Sequence, residues 1–434
     1  MTVAEVKLWN TTIGAVSWDA GNEIANFEYS KPFIKSGIEL APLTMPLSER
    51  IFSFPALNRE TFKGLPGLLS DSLPDKFGNA LIDAWLTRQG RTLESFNPVD
   101  RLCYIGTRGM GALEFFPVLG PPAGQPKKLD IGSLVTLAGD ILTHHQDLNA
   151  SFRPEDREET MRDILRVGTS AGGARAKAII AWNPETDEVR SGQVKAGKGF
   201  SYWLLKFDGV KGNKDKELED PEGFGLIEHA YHKMATAAGI AMSECRILEE
   251  NHRKHFMTRR FDRTEDGGKI HMQSLCAMRH YDFNQAGAYS YEQALLTIKD
   301  LGLPMESAEE QFRRMAFNIM GRNQDDHVKN IAFLMGKDGR WALSPAFDVT
   351  YSYNPSGQWT DRHQMTLNGK RDDFDVEDFK ACARNASINT ASALRILRQV
   401  QAAILKWPKY AKESGVPGRI AERIDRALRK SIVA

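Results

Sequence analysis

The chain has 434 residues, 41% of them hydrophobic and 26% charged, a composition that predicts a globular protein of two or three domains. The formal net charge of +1 excludes attraction to nucleic acid through overall charge, so a nucleic-acid partner would need a local basic patch. Four widely separated cysteines argue against a zinc ribbon or a disulfide framework, and the lack of a signal peptide or a membrane-spanning apolar stretch predicts a cytoplasmic protein that binds no membrane.

The first part of the chain mixes strand patterns with a helical pattern. Residues 25–29 alternate apolar and polar side chains as a half-buried strand does, and residues 78–85 have helical periodicity. Pro and Gly are frequent over residues 120–128, which is typical of a linker. We therefore predict a small α/β subdomain over residues 1–119.

The middle part contains a run of small residues, at 168–177, and then a strand that ends in a lysine. Small residues let backbone N–H groups approach phosphate oxygens, although the run matches neither the Walker A pattern nor Gly-x-Gly-x-x-Gly, and a plain flexible loop is the alternative. In the strand pattern at 200–207, Lys206 shares a face with Tyr202 and Leu204. Phosphoryl transfer needs such a cation to offset the phosphate charge.

Glu228 is a candidate partner for Lys206. It lies in the helical pattern at 226–238, and kinases pair their strand lysine with a helix glutamate. The alternatives are a lysine that extends to solvent and a solvated glutamate. A further strand pattern at 256–258 precedes Arg259, Arg260 and Phe261, where a kinase chain crosses between its lobes and its backbone holds the adenine. A solvated basic turn is an equal alternative there.

Helical patterns predominate from residue 289 onward, and they include an amphipathic helix directly before the most specific motif of the chain. The apolar residues of that helix recur at helical spacing: Phe312, Met315, Ala316, Ile319 and Met320. A mixed lobe over residues 129–263 followed by a mostly helical lobe over residues 264–434 is the order of a protein kinase.

The most specific motif is Asn-Gln-Asp-Asp-His-Val-Lys-Asn at residues 323–330. In the kinase template, a catalytic-loop Asp accepts the proton of the attacking hydroxyl, and an Asn five residues later binds Mg²⁺. Asp325 and Asn330 have this spacing. His327 lies within the motif, where we expect it to order the loop or contact phosphate. Ordinary turn residues are the alternative, since Asp and Asn are common in turns.

A predicted hairpin supplies the second acidic group of the motif. Residues 331–335 and 341–343 read as strands, and the Asp-Gly pair between them is a turn signal. The hairpin would bring Asp348 back beside Asn330. Because Mg²⁺ takes oxygen ligands and keeps waters and phosphates in its shell, one Asn and one Asp suffice as protein ligands.

These segments together resemble the HipA family of serine/threonine kinase toxins, the bacterial partners of the HipB antitoxin. The resemblance covers nearly the whole chain and rests on residues 67–75, 170–177, 260–263, 325–330 and 344–348. It implies an α+β fold: a protein-kinase-like two-lobed core, with a mixed α/β N-lobe and a mostly helical C-lobe, and a small N-terminal α/β subdomain. It also implies ATP and Mg²⁺ as cofactors and a HipB-like antitoxin as partner. The substrate would be an aminoacyl-tRNA synthetase or another translation component, and DNA would be met mainly through the antitoxin.

The resemblance also implies roles for single residues. Asp325 would be the catalytic base, Asn330 and Asp348 the metal ligands, Lys206 the phosphate-contacting lysine, and Ser170 the autophosphorylated serine. The rest of the ATP site would comprise Ala171, Gly172, Gly173, Ala174, Arg175, Ala176, Lys177, Arg259, Arg260, Phe261, His327, Val328, Lys329 and Phe347.

Two departures from the family pattern concern the ATP site. Arg175-Ala176 stands where the family has Gln-Glu, and Arg259 replaces an acidic hinge residue. Thr169 is also a neighbouring hydroxyl that could be modified instead of Ser170. A phosphate on Ser170 would add roughly −1.5 to −2 charge to a loop that must hold ATP phosphates, which predicts self-limiting activity.

Two other functions stay open from the sequence. The Asp-x-His-x-x-Asn motif followed by Phe-Asp also resembles that of phosphoinositide kinases, which predicts a lipid or small-molecule kinase. A non-catalytic ATP-binding scaffold that assists a DNA-bound antitoxin repressor is the second, because the basic stretches at 252–263 and 419–430 could contact DNA phosphates.

Overall fold

The computed structural model describes residues 2–121, 127–143, 156–168, 175–210, 214–215, 218–219 and 223–433. The chain divides into two compact units. Unit 1 comprises Met1–Glu222, Leu248–Gln273 and Met335–Gly339, and unit 2 comprises Gly223–Ile247, Ser274–Leu334 and Arg340–Ala434. None of the helices among the described residues has the length and apolar character that a membrane crossing requires.

Unit 1 begins with a four-stranded antiparallel sheet in the order β3-β2-β1-β4. Its strands are β1 Val3–Leu8, β2 Thr11–Asp19, β3 Ile24–Tyr29 and β4 Leu113–Phe116. Between β3 and β4 lie five helices: α1 Lys31–Ile34, α2 Arg59–Phe62, α3 Gly67–Ser70, α4 Lys76–Arg88 and α5 Pro98–Ile105. Helix α4 begins at the N-cap Asp75, and it includes the predicted helix at 78–85.

A second, five-stranded sheet has the order β10-β11-β7-β5-β6, and all of it except the first three residues of β10 belongs to unit 1. The elements of this part are α6 Ile131–Thr143, α7 Asp156–Val167, β5 Lys177–Asn183, β6 Glu188–Ser191, β7 Ser201–Lys206, β8 Lys214–Asp215, β9 Leu218–Glu219, β10 Cys245–Glu250, β11 Arg253–Arg259 and β12 His271–Ser274. One hydrophobic core joins the sheet residues Ala178, Ile180, Trp203 and Leu205 to apolar residues of α4, α6 and α7. Helix α4 therefore shares a core with the sheet that carries the lysines of the predicted ATP site.

Unit 2 is mostly helical. Its elements are α8 Phe224–Ala237, α9 Leu275–Arg279, α10 Tyr291–Asp300, α11 Met305–Met320, β13 Ala332–Met335, β14 Trp341–Leu343, α12 Val376–Asn385, α13 Thr390–Ile404, α14 Trp407–Glu413 and α15 Gly418–Ala427. All five apolar residues predicted for the helix before the motif are buried in α11. Strands β13 and β14 are hydrogen-bonded neighbours, so the predicted hairpin is confirmed.

The compact units do not follow the predicted domain order along the chain. Residues of α8 belong to unit 2, and the chain passes from unit 1 to unit 2 after Gln273. The three-domain division at 1–119, 129–263 and 264–434 stays a prediction. A mixed α/β unit and a mostly helical unit nevertheless match the composition expected of the two lobes.

Candidate active site

The predicted site residues fall into three groups. Unit 2 holds Glu228, Asp325, His327, Val328, Lys329, Asn330, Phe347 and Asp348. Unit 1 holds Arg175, Ala176, Lys177, Lys206, Arg259, Arg260 and Phe261. Outside the described residues lie Ser170, with its neighbour Thr169, and Ala171, Gly172, Gly173 and Ala174. The proposed Lys206–Glu228 pair would join residues of different units and stays a prediction.

The candidate catalytic loop of unit 2 follows α11 and brings Asp325 and Asn330 into contact. The Asn330 side-chain Nδ2 donates a hydrogen bond to the Asp325 backbone carbonyl over 3.0 Å. The indole Nε1 of Trp359 donates to Asp325 Oδ1 over 2.7 Å. His327 Nε2 lies 3.7 Å from the same carboxylate oxygen. The Asp325 carboxylate therefore has a defined orientation, as a general base requires.

Asn330 and Asp348 line one cleft in unit 2, together with His327 and Phe347. Because a backbone carbonyl can only accept, the Asn330 amide turns Nδ2 toward Asp325, and Oδ1 is the atom that can bind a metal. Asp348 has φ +52°, a left-handed conformation that costs energy and is enriched at functional sites. Amide and carboxylate oxygens suit the hard cation Mg²⁺, so the donor set of this cleft fits it.

A buried hydrogen-bond network underlies the catalytic loop at Asp326. Its Oδ2 accepts from the Tyr291 hydroxyl at 2.6 Å and contacts His363 Nδ1 at 2.8 Å, while Oδ1 accepts from the Gln364 backbone N–H at 2.7 Å. Burial alone would raise the pKa of this carboxyl, but the His363 imidazole and the hydrogen bonds outweigh it and lower the pKa below its usual value. Asp326 thereby fixes the segment that contains Trp359, His363 and Gln364 against the catalytic loop, directly beside Asp325.

Replacing Trp359 by phenylalanine should lower kcat by about tenfold to a hundredfold, because a hydrogen bond to a charged group contributes roughly 1.5–3 kcal/mol. The ring remains, but the 2.7 Å bond to Asp325 is lost. The KM for ATP should stay unchanged, since the indole contacts the candidate base. Steady-state kinetics of phosphate transfer measures both quantities.

A matched control for this change is Trp407→Phe, which also removes an indole hydrogen bond, here to the Ala421 backbone carbonyl at 2.9 Å. Trp407 is buried in a different part of unit 2, so this variant should lower the melting temperature and leave kcat in place. Equal kcat values for the wild type and Trp359→Phe would show that the indole does not orient the base.

The lysines of unit 1 lie at the ends of adjacent strands. Lys206 ends β7, as predicted, and it is paired directly with Lys177 at the start of β5. Directly opposed residues project from the same face of a sheet. Lys177 Nζ lies 2.9 Å from an Asp75 carboxylate oxygen, and both side chains are buried. Lys206 Nζ lies 5.7 Å from the centroid of the Phe256 ring.

The predicted hinge residues end strand β11 in unit 1. The Arg260 backbone N–H donates to the Tyr202 carbonyl at 2.9 Å. The Arg260 guanidinium binds the buried Asp262 carboxylate at 2.6 and 2.8 Å, so the solvated-turn alternative is wrong for this residue. Burial would raise the pKa of Asp262, but Arg260 and Arg263 lower it far below its usual value. Adenine contact by Arg259, Arg260 and Phe261 stays a prediction.

Four functional candidates were missed from the sequence: Asp75, Tyr291, Trp359 and His363. Trp359 and His363 meet the catalytic loop across 34 and 37 residues of chain, so no local spacing signals the contact. For Asp75, the only local signal is its position directly before a helix, which indicates an N-cap and not an ion pair.

Two family models match successive parts of the chain. The family model described as the HipA-like C-terminal domain matches residues 169–407, and the model of the HipA N-terminal domain matches residues 4–116. A Haemophilus influenzae protein that carries the provisional name of a kinase is 28% identical over 159 residues. That match covers 33% of this chain and 46% of the relative, so the chain spans less than half of the relative's length.

Among solved structures, the chain is similar to Shewanella oneidensis HipA, determined in a toxin–antitoxin complex with HipB and operator DNA. The TM-score is 0.68 at 17% sequence identity, over 98% of this chain and 96% of the other. This likeness confirms the predicted fold class, an α+β fold with a kinase-like two-lobed core. Because the C-terminal family model alone spans more than half of its residues, the chain belongs to the HipA family.

Proposed function

We propose that this protein is an ATP- and Mg²⁺-dependent protein serine/threonine kinase that acts as the toxin of a HipA/HipB-type toxin–antitoxin system. The observation that carries the proposal is the position of Asn330 in unit 2. It lines one cleft with Asp348, and it donates a hydrogen bond to the backbone carbonyl of Asp325, whose carboxylate Trp359 orients. A base, an amide oxygen and a second carboxylate are among the protein groups that phosphoryl transfer requires. Membership of the HipA family supports the same reading.

In this proposal each side chain has a separate task. Asp325 accepts the proton of the substrate hydroxyl, and Trp359 keeps its carboxylate oriented. Asn330 Oδ1 and the Asp348 carboxylate would hold Mg²⁺, which neutralises charge on the phosphates when bound. Lys206 and Lys177 supply positive charge for the phosphates from the sheet of unit 1.

The proposed partners follow from the same family. The Shewanella structure contains HipA with HipB and operator DNA, which supports a HipB-like antitoxin as the partner of this protein and contact with DNA mainly through that antitoxin. We propose a translation component, such as an aminoacyl-tRNA synthetase, as the protein substrate. We also propose that the protein binds its antitoxin and its substrate in the cytoplasm. Ser170 is the proposed site of autophosphorylation.

Incubation of the purified protein with γ-labelled ATP and a bacterial lysate tests this function. Label should appear on serine or threonine of lysate proteins and on the protein itself, where peptide mapping should assign it to Ser170 and not Thr169. EDTA should abolish transfer, and added Mg²⁺ should restore it. Label that enters lipids or small molecules instead would favour the lipid-kinase alternative, and ATP binding without any transfer would favour the scaffold.

A further inference from the structure

Asp75 belongs to the stretch that matches the HipA N-terminal domain, and it makes two contacts at once. Its Oδ1 accepts a hydrogen bond from the Gly78 backbone N–H at 2.6 Å, which caps the start of α4. Its Oδ2 lies 2.9 Å from Lys177 Nζ. The two side chains of this ion pair are only 3% and 2% exposed, so water screens the pair little.

The ion pair lies beside a second positive charge. Lys177 stands directly opposite Lys206 on the same face of the sheet, and like charges in that position repel. Asp75 supplies a carboxylate that offsets this repulsion at Lys177. A buried charge whose partner is removed is strongly unfavourable, so loss of the Asp75 charge would drive the Lys177 ammonium from its position.

Helix α4 also packs against Gly168, on the other side of the small-residue loop. A Cβ added to Gly168 would lie 2.7 Å from Leu81 Cδ1 and 3.1 Å from Phe77 Cε1, which leaves no room for a side chain. Phe77 and Leu81 belong to the same core as Ala176. One helix of the N-terminal stretch therefore contacts the chain both before and after residues 169–174.

We infer that Asp75 is a positioning residue for nucleotide binding: through its ion pair it holds the Lys177 ammonium beside Lys206, at the end of the sheet where the proposed site binds nucleotide phosphate. The N-terminal stretch thereby takes part in forming the ATP site. This inference rests on the proposed kinase function, because it assigns Lys177 and Lys206 to the phosphate site.

The substitution Asp75→Asn separates the two contacts of Asp75. Asparagine caps helices as well as aspartate does, so α4 keeps its cap while the negative charge beside Lys177 is removed. Binding of the fluorescent analogue mant-ATP should weaken by about tenfold to a hundredfold, the loss typical of a misplaced supporting group. The matched control is Asp375→Asn, the same change at the N-cap of α12 in unit 2, where the side chain is 62% exposed; its affinity should equal that of the wild type.

A double-mutant cycle with Lys177→Met distinguishes positioning from a general effect on structure. If Asp75 acts through Lys177, Asp75→Asn should cause no further loss of mant-ATP affinity in the Lys177→Met background. An equal loss in both backgrounds would overturn the inference, as would wild-type affinity in Asp75→Asn. Should Asp75→Asn alone not fold, a further loss of affinity from Lys177→Met to the double variant would still overturn the inference. Both of these variants should fold, since Asp75 stays favourably placed at a helix N-terminus and the double variant buries no unpaired charge.

The mant-ATP titration also distinguishes failure of the proposed kinase function from failure of the inference about Asp75. A wild-type protein that does not bind mant-ATP would refute the proposed kinase function. A wild-type protein that binds it, with an Asp75→Asn variant that binds equally well, would refute the positioning role of Asp75 alone.

Discussion

The Asp325→Asn variant is expected to lose phosphoryl transfer by about 10²–10⁴-fold and to bind ATP as the wild type does. General-base groups contribute rate factors of this size, and asparagine cannot accept the proton of the attacking hydroxyl. The substitution is nearly isosteric. Its amide oxygen can still accept the Trp359 indole N–H, and the Asn330 hydrogen bond goes to the backbone carbonyl, which the substitution leaves in place.

Single-turnover transfer from γ-labelled ATP, with ATP affinity measured in parallel, checks this expectation. The control is Asp361→Asn, which changes an aspartate in the segment that also carries Trp359. The Asp361 carboxylate pairs with Arg362 at 3.4 Å, and only its backbone carbonyl reaches the catalytic loop, at Gln324. Full transfer activity in Asp325→Asn would remove this residue from the mechanism.

The Asp348→Asn variant should lose roughly 10²–10³-fold in transfer rate, the range seen when one electrostatic partner of a transition state is removed. Asparagine is among the residues that tolerate a positive φ, so the backbone at φ +52° should persist while the charge of the proposed metal ligand is lost. Affinity for ATP without Mg²⁺ should be unchanged. The increase in affinity that Mg²⁺ brings should become small.

Nucleotide titrations with and without Mg²⁺ separate these effects. Asp373→Asn is the matched control. Asp373 is exposed and has φ +51°, so this variant makes the same substitution at nearly the same backbone conformation. That variant should keep the Mg²⁺ dependence of the wild type. An Asp348→Asn variant with normal Mg²⁺ dependence would place the metal ligand elsewhere.

Several elements of the site were predictable because their signals are local. Helical spacing in α11, the Asp-Gly turn between β13 and β14, and the spacing from Asp325 to Asn330 all lie within a short stretch of chain. Lys206 on β7 followed from strand alternation in the same way. Hydrophobic periodicity and turn chemistry depend on near neighbours, so such features can be recognised without the fold.

The contacts that orient these groups were not predictable. Trp359 donates to Asp325, and His363 contacts Asp326, from a segment with no regular helix or strand and no periodic pattern. Asp75 carries a cap signal in the sequence, and its second contact, with Lys177, depends on where the start of α4 lies relative to strand β5. Such contacts form only when segments distant in the chain pack together, and the sequence around either partner contains no signal for them.

By itself, then, the sequence determined the kinds of chemical group and their spacing: a base, an amide and a carboxylate around a hairpin, and a lysine on a strand. The tertiary structure decided which of two adjacent aspartates is placed to act as the base. Of the adjacent pair Asp325 and Asp326, Asp326 is buried under three hydrogen-bonding partners, whereas the carboxylate of Asp325 is oriented by an indole. The physical reason is that burial and electrostatic pairing depend on distances in space, which only the packed chain sets.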